Sequence, residues 1–249
     1  MRKRRLVGDP QEPDPRLEGS RMGMEARASE LSLEVADSLR GVLGLGLLEA
    51  DGVRLEPVLR EFDEECLRVC ARLEAQHAGH PPADIPGVAE TRALFHRLGV
   101  DPTKTRPSSE ALLRRVTQGK GLPRVNLAVD ICNLCSLEHQ LPLGLYDRDF
   151  VRGTVQARAG GEAEGYPGIR KQRVNLAGRL LLADDEGPFG APTSDSARTA
   201  VTDATTRLLV VVFCPVERAD QQLSGMLEHL ADRLTRHASA RVVAVRVLQ

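Results

Sequence analysis

Three groups of residues carry side chains that could do chemistry. Cys132-x-x-Cys135 and Cys66-x-x-x-Cys70 together supply four thiols, the number a structural zinc ion takes. Both pairs, however, fall in apolar stripes at helical spacing, where small buried cysteines are common. Buried reduced thiols are therefore expected, with no metal and no cofactor. No strand leads into a CxxC at a helix start, so the pair does not read as a thioredoxin-like redox centre. The histidines at 77, 80, 96, 139, 229 and 237 form no HExxH pair, and no GxSxG elbow accompanies them. Asp184, Asp185 and Glu186 end an apolar run, and both a magnesium-binding acid pair and an acidic turn fit that spacing.

Two further features are more informative. Over residues 101–124 the cations Lys104, Arg106, Arg114, Arg115, Lys120 and Arg124 stand against only Asp101 and Glu110. With a helix start at Ser108 and glycines beside Lys120, this stretch reads equally as a phosphate-binding surface or as a solvated helix face. In the next apolar segment Asn126, Asp130 and Asn133 are spaced by four and three, which sets them on one helix face. Buried polar groups of this kind are either paired to nearby loops or turned toward a ligand.

The whole chain limits the choices. Its 249 residues carry 34 Lys+Arg against 35 Asp+Glu, a formal net charge of -1, and 3% aromatics with no Trp. A nucleic-acid binder working by bulk positive charge is excluded, and so is a platform that stacks successive bases on rings. No apolar run reaches the ~18 residues of a membrane span. Neither a membrane nor a DNA partner is expected. The basic start MRKRR is cut off by Asp9 and Pro10 before any apolar core of a secretion signal. With five cysteines this suggests reduced thiols and a cytoplasmic location.

The elements that must position these groups follow from periodicity. Residues 1–29, rich in charge and proline without a hydrophobic period, read as a disordered tail within which Met22 or Met24 could be the start. Residues 30–249 read as one domain. Segments 31–37 and 42–50 read as two strands at the front of a sheet, with Gly44 and Gly46 inside a curved strand rather than in a nucleotide loop. Pro57 should open a helix striped by Leu59, Phe62, Cys66, Val69, Cys70 and Leu73. A loop over 77–86 precedes a helix over 88–98, a helix from Ser108 ends before Gly119, and another runs from Val125 to His139. After Pro142 the pattern is mostly strand, then a helix striped by Leu223, Met226, Leu227, Leu230 and Leu234, then the strand RVVAVRVL. Helices and strands mix without regular βαβ alternation, so the fold class is α+β.

The run RVNLAVDICNLCSLEHQLPLGLYDRDFVRGTVQARAGGE resembles the central motif of the B3/B4 domain of the phenylalanyl-tRNA synthetase β-subunit. The preceding segment from Pro102 resembles the stand-alone proteins that carry this domain, and the likeness extends over about residues 90–213. The resemblance implies a layered β-β-α sandwich with an editing cavity that hydrolyses mischarged tRNA. The family's Thr-Asn pair falls on Cys132 and Asn133, its histidine on Gly144, and its pocket glutamate near Val211 in an apolar strand. The loop GPFGAPTSDSART corresponds to a cavity wall, which brings in Ser194, Asp195, Ser196, Arg198 and Thr199. The resemblance thus implies pocket residues Cys132, Asn133, Gly144, Ser196 and Thr199, with tRNA phosphates held by Lys104, Arg106, Arg114, Arg115, Lys120 and Arg124. It implies a free-standing module binding tRNA or aminoacyl-tRNA, and a deacylase if it is an enzyme; no catalytic core of an ATP-dependent ligase is apparent. The alternatives are a non-catalytic pocket for an amino acid-like ligand, or a scaffold docking to a synthetase.

Overall fold

A computed structural model describes residues 31–55, 60–169 and 173–249. The expected tail over 1–29, and Pro57 and Leu59 at the expected helix start, lie outside the described residues. The chain is α+β, and its strands and helices stack in three layers.

The middle layer is a four-stranded antiparallel sheet in the order β11-β2-β10-β3. Its strands are β2 (Leu43–Asp51), β3 (Leu143–Asp147), β10 (Arg207–Pro215) and β11 (Arg241–Leu248). Successive side chains along β10 point to opposite faces, as the pleat requires. Leu208, Val210, Val212 and Cys214 face the helices, while Leu209, Val211 and Phe213 face the second sheet. Covered on both sides, β10 is apolar at nearly every position. The second sheet has the order β1-β4-β7-β8-β9, with β1 Leu33–Val35, β4 Val155–Ala159, β7 Leu180–Asp184, β8 Gly187–Ala191 and β9 Ser194–Asp195. A small ribbon of β5 (Gly165–Tyr166) and β6 (Val174–Asn175) lies beside it in sequence.

The third layer is helical: α1 (Arg60–Gln76), α2 (Pro86–Arg97), α3 (Ser108–Val116), α4 (Leu127–His139) and α5 (Ala219–Ala238). The stripe Phe62, Cys66, Val69 and Leu73 buries α1, and Leu223, Met226, Leu227, Leu230 and Leu234 bury α5. The glycines of β2 explain how closely α5 is seated. A Cβ at Gly44 would stand 2.6 Å from the Cβ of Ala219, and one at Gly46 would stand 3.1 Å from Leu223. These glycines thus admit a helix rather than only curving a strand.

One expectation changes. Segments 31–37 and 42–50 do not share a sheet: β1 pairs in parallel with β4, whereas β2 pairs with β10 and β11. The 3-10 turn Asp37–Leu39 carries the chain from one sheet to the other. Such a transfer is decided by long-range pairing and leaves no period in the local sequence.

Candidate functional site

A cavity of about 420 Å³ opens where the starts of α3 and α4 meet β3 and β9. That volume is within the usual range of small-molecule sites. Its apolar wall is Val125, Val129, Leu143, Leu145, Ile169 and Val201; its polar wall is Ser108, Asn126, Cys132, Asn133, Ser136 and Asp195.

Helix α4 supplies most of the polar wall. Asn126 caps it, its side-chain oxygen accepting the Val129 N–H at 3.0 Å. Asp130 accepts the Val125 N–H at 2.9 Å and pairs with Arg124 at 3.2 Å. Burial raises the Asp130 carboxyl from its ordinary value, against the lowering effects of that hydrogen bond and of Arg124. Two members of the polar stripe therefore tie the preceding loop to the helix, and Asn133, one turn further on, lines the cavity. Beside it Cys132 is fully packed, and burial pushes its thiol well above the ordinary value. A neutral thiol is a weak hydrogen-bonder and not a nucleophile. Ser136 donates to the Leu141 carbonyl at 2.7 Å.

Strand β3 divides its residues between two compartments. Leu143 and Leu145 face α4 and line the cavity, whereas Tyr146 points into the layer between the sheets. Gly144 shares that side, and its absent side chain leaves the space that the Tyr146 ring fills. A Cβ at Gly144 would lie 1.9 Å from the Tyr146 hydroxyl, and one at Gly190 would lie 2.2 Å from it. Tyr146 stands edge-on to Phe189 with ring centroids 4.9 Å apart. Burial, with the neighbouring Asp195 carboxylate, keeps the Tyr146 hydroxyl protonated far above its ordinary range. The same carboxylate adds to the rise at Cys132. Asp195, on β9 opposite Gly190, thus brings an acidic group to the cavity's lining.

The other residues implied by the resemblance are placed elsewhere. Gly144, Ser196 and Thr199 are not among the lining residues. The Ser196 hydroxyl accepts the Arg198 N–H at 3.0 Å, and the Thr199 carbonyl accepts the Asp147 N–H at 2.9 Å, so both shape the loop behind Asp195. Val211 sits opposite Gly144 in the layer between the sheets. Arg198 binds Asp184 at 2.8 Å and Glu186 at 3.2 Å, so two of the three acids ending β7 serve an internal ion pair. Among the described residues no group of three or more His, Cys, Asp or Glu could hold a metal.

The cations divide into three sets. Arg106 and Arg124 adjoin lining residues in the sequence, two residues before Ser108 and one before Val125, without lining the cavity themselves. Each is engaged. Arg106 pairs with Glu110 at 3.2 Å, while Arg124 pairs with Asp63 at 2.7 Å and lies 5.5 Å over the Phe62 ring. Lys104 is exposed in the loop before α3. Arg114, Arg115 and Lys120 belong to the far end of α3, about 9 Å or more along its axis from Ser108. Arg115 donates to the Gly121 carbonyl at 2.9 Å and Lys120 to the Gln118 side chain at 3.0 Å. The basic segment is therefore not one patch around the cavity. Sequence reasoning missed Val129, Leu143 and Leu145, although the helical spacing 125-129-132-136 and the strand alternation 143-145 both point to them. It also missed Tyr146, which no local pattern marks.

Comparison with known proteins places this arrangement. The family model of the B3/4 domain matches residues 90–244. The phenylalanine–tRNA ligase β subunit of Streptomyces avermitilis is 34% identical over 117 residues, covering 45% of this chain and 14% of the relative. That of Cutibacterium acnes is 34% identical over 106 residues, covering 42% and 12%. The chain therefore matches only a small part of the length of these relatives. A solved N-terminal fragment of the phenylalanyl-tRNA synthetase β-subunit from Pyrococcus horikoshii is similar with a TM-score of 0.44 and 14% identity, covering 86% of this chain and 50% of the fragment. No helix among the described residues is long and apolar enough to cross a membrane.

Proposed function

The chain belongs to the B3/4 domain family, and from that premise we propose that it receives the aminoacyl end of a tRNA in the cavity beside Asn133 and hydrolyses the ester. The observation that carries this reading is the cavity itself, walled by aliphatic side chains on one side and by Asn133 and Asp195 on the other. The α-ammonium of an aminoacyl group is matched by the Asp195 carboxylate, and an apolar amino acid side chain by Val129, Leu143 and Leu145. Ser108 at the start of α3 and Asn126 at the cap of α4 line the cavity, so the positive dipole ends of both helices lie beside it, where the ester carbonyl and the terminal phosphates would be received. Water adds to the ester carbonyl, the ribose oxygen leaves with a proton, and free amino acid and tRNA result. Cys132 takes no covalent part, because its thiol stays protonated. An apolar wall cannot reject an aminoacyl group for merely lacking a hydroxyl, so tyrosine-selective editing is not expected here.

The test is deacylation of tRNA charged with a panel of amino acids, comparing the parent chain with Asn133→Ala. Release above that control supports hydrolysis; release equal to it for every amino acid rejects it. Binding is read separately from its salt dependence, with Arg106→Glu lowering the affinity and flattening the slope by about one unit per lost phosphate contact.

A second reading has one observation in its favour. Arg106 and Arg124 are already held in ion pairs, which suits a cavity for a free amino acid-like ligand. Thermal stabilisation by a free amino acid, with no salt-sensitive tRNA binding in the parent or in Arg114→Glu/Arg115→Glu, is the outcome that selects it.

A further inference from the structure

The cavity beside Asn133 has a closed side and an open one. Its lining residues Cys132, Ser136 and Leu145 are buried, whereas Val125 and Ile169, which line it too, are 59% and 43% exposed. Val125 belongs to the loop that enters α4, and Ile169 to the turn that follows β5. Two aliphatic side chains from distant parts of the chain thus stand in solvent on the open side of one cavity. A single exposed aliphatic is ordinary on a protein surface, but two in the lining of one pocket are apolar surface that a ligand can cover. The lining also holds a spare donor. Asn126 accepts the Val129 N–H through its side-chain oxygen, and its amide nitrogen has no hydrogen-bond partner among the described residues.

We propose that the open side is a nucleoside subsite, in which the terminal adenosine of a tRNA lays its base on Val125 and Ile169 and accepts a hydrogen bond from the Asn126 amide at a ring nitrogen. The inference rests on the reading of the cavity as an aminoacyl site, and the chemistry of that ligand supplies the occupant. Every tRNA ends in an adenosine whose ribose carries the aminoacyl ester, so the base lies one sugar away from the ester. With the amino acid side chain against Val129, Leu143 and Leu145, and Cys132, Ser136 and Leu145 closing the buried side, ribose and base extend toward Val125 and Ile169. Adenine has two broad apolar faces and ring nitrogens that accept hydrogen bonds, which matches two aliphatic side chains and one amide donor. No aromatic ring lines the cavity, so the base is held by covered area and not by stacking. Covering roughly 60 Å² of apolar surface is worth about tenfold in affinity.

The experiment is calorimetric titration of the full chain with 3′-leucylamino-3′-deoxyadenosine, an amide that resists hydrolysis, and with the same conjugate lacking the base. The adenosine conjugate should bind about tenfold more tightly. In Val125→Ser/Ile169→Ser the ratio of the two affinities should fall to near one. Asn126→Asp keeps an oxygen to cap α4 and removes the donor, so the ratio should fall at least threefold while thermal melting stays close to the parent. Equal binding of the two conjugates overturns the nucleoside subsite and leaves the aminoacyl site standing. A ratio that survives Val125→Ser/Ile169→Ser overturns it as well. Binding of neither conjugate, repeated with the valyl and phenylalanyl counterparts, overturns the aminoacyl reading and this inference with it.

Discussion

Replacing Gly144 by alanine is the sharpest test of how the site's inner wall is built. The new Cβ would stand 1.9 Å from the Tyr146 hydroxyl oxygen and 2.4 Å from its Cζ, both well inside the 3.0 Å below which real Cβ contacts essentially do not occur. The obstacle is the rigid end of a fully buried ring, held edge-on by Phe189 and closed on its other flank by Gly190. Overpacking of this kind costs about 1–3 kcal/mol where neighbours can yield, and the enclosed ring places Gly144→Ala at about 3 kcal/mol. For a chain of this size that is roughly 6–12 °C in Tm. Tyr146→Leu removes the atoms that collide, and alone should cost about 2 kcal/mol for the lost ring packing. The double variant Gly144→Ala/Tyr146→Leu should then be about 2 kcal/mol more stable than additivity requires, because the two residues compete for one space. Urea unfolding followed by circular dichroism measures all four proteins. The reasoning is refuted if Gly144→Ala lies within about 0.5 kcal/mol of the parent, or if the double variant is strictly additive.

Three further outcomes follow from the helical layer. Arg233 is almost fully buried between Glu65 at 2.8 Å, Glu138 at 2.5 Å and the Cys135 sulfur at 3.1 Å; Arg233→Met would leave Glu138 to Arg72 and Glu65 to His237 and Arg236, and should lose about 1.5–3 kcal/mol in chemical denaturation, the worth of charge-assisted hydrogen bonds. His139, 2.9 Å from His229, is held down to about 4 by burial and then by its neighbour, against 6.5 for a free imidazole. The unfolded chain therefore takes up a proton below about pH 6.5 that the folded chain refuses, and stability should fall from there to about pH 4 and then level off. The His139→Gln variant should flatten that part of the curve. Burial raises the thiols of Cys66 to about 11 and of Cys135 and Cys214 to about 12, and that of Cys132 well above its ordinary value. A thiol reagent at neutral pH should thus label half-buried Cys70 first and the other four only on unfolding.

Much of the fold was legible because its elements carry their own periods. The stripe from Phe62 to Leu73 and that from Leu223 to Leu234 are buried as their helical spacing implies, and the unbroken apolar run of β10 marks a strand covered on both faces. What local pattern does not hold is the choice of partner. Nothing in Leu33–Val35 or Leu43–Asp51 says that one pairs with β4 and the other with β10. That is settled by pairings between residues more than a hundred positions apart.

The site divides in the same way. Asn133 was legible because its spacing from Asn126 and Asp130 is helical, and the first two turn out to hold the loop that leaves the third facing the cavity. Gly144 and Val211 were not, because on a strand a neighbour in sequence faces the opposite layer, and both sit behind the wall that Leu143 and Leu145 form. The charges show why counting them along the chain misleads. Arg106 lies one helical turn before Glu110, a pairing the sequence exposes, but Arg124 is taken up by Asp63 on another helix, which it does not. Of six cations against two anions, the two arginines nearest in sequence to the lining residues Ser108 and Val125 already face carboxylates. A phosphate arriving there must compete with Glu110, Asp63 and Asp130 for its partners. Removing one competitor with Asp63→Asn should therefore strengthen salt-dependent tRNA binding, whereas a site that takes only a free amino acid would be indifferent to it.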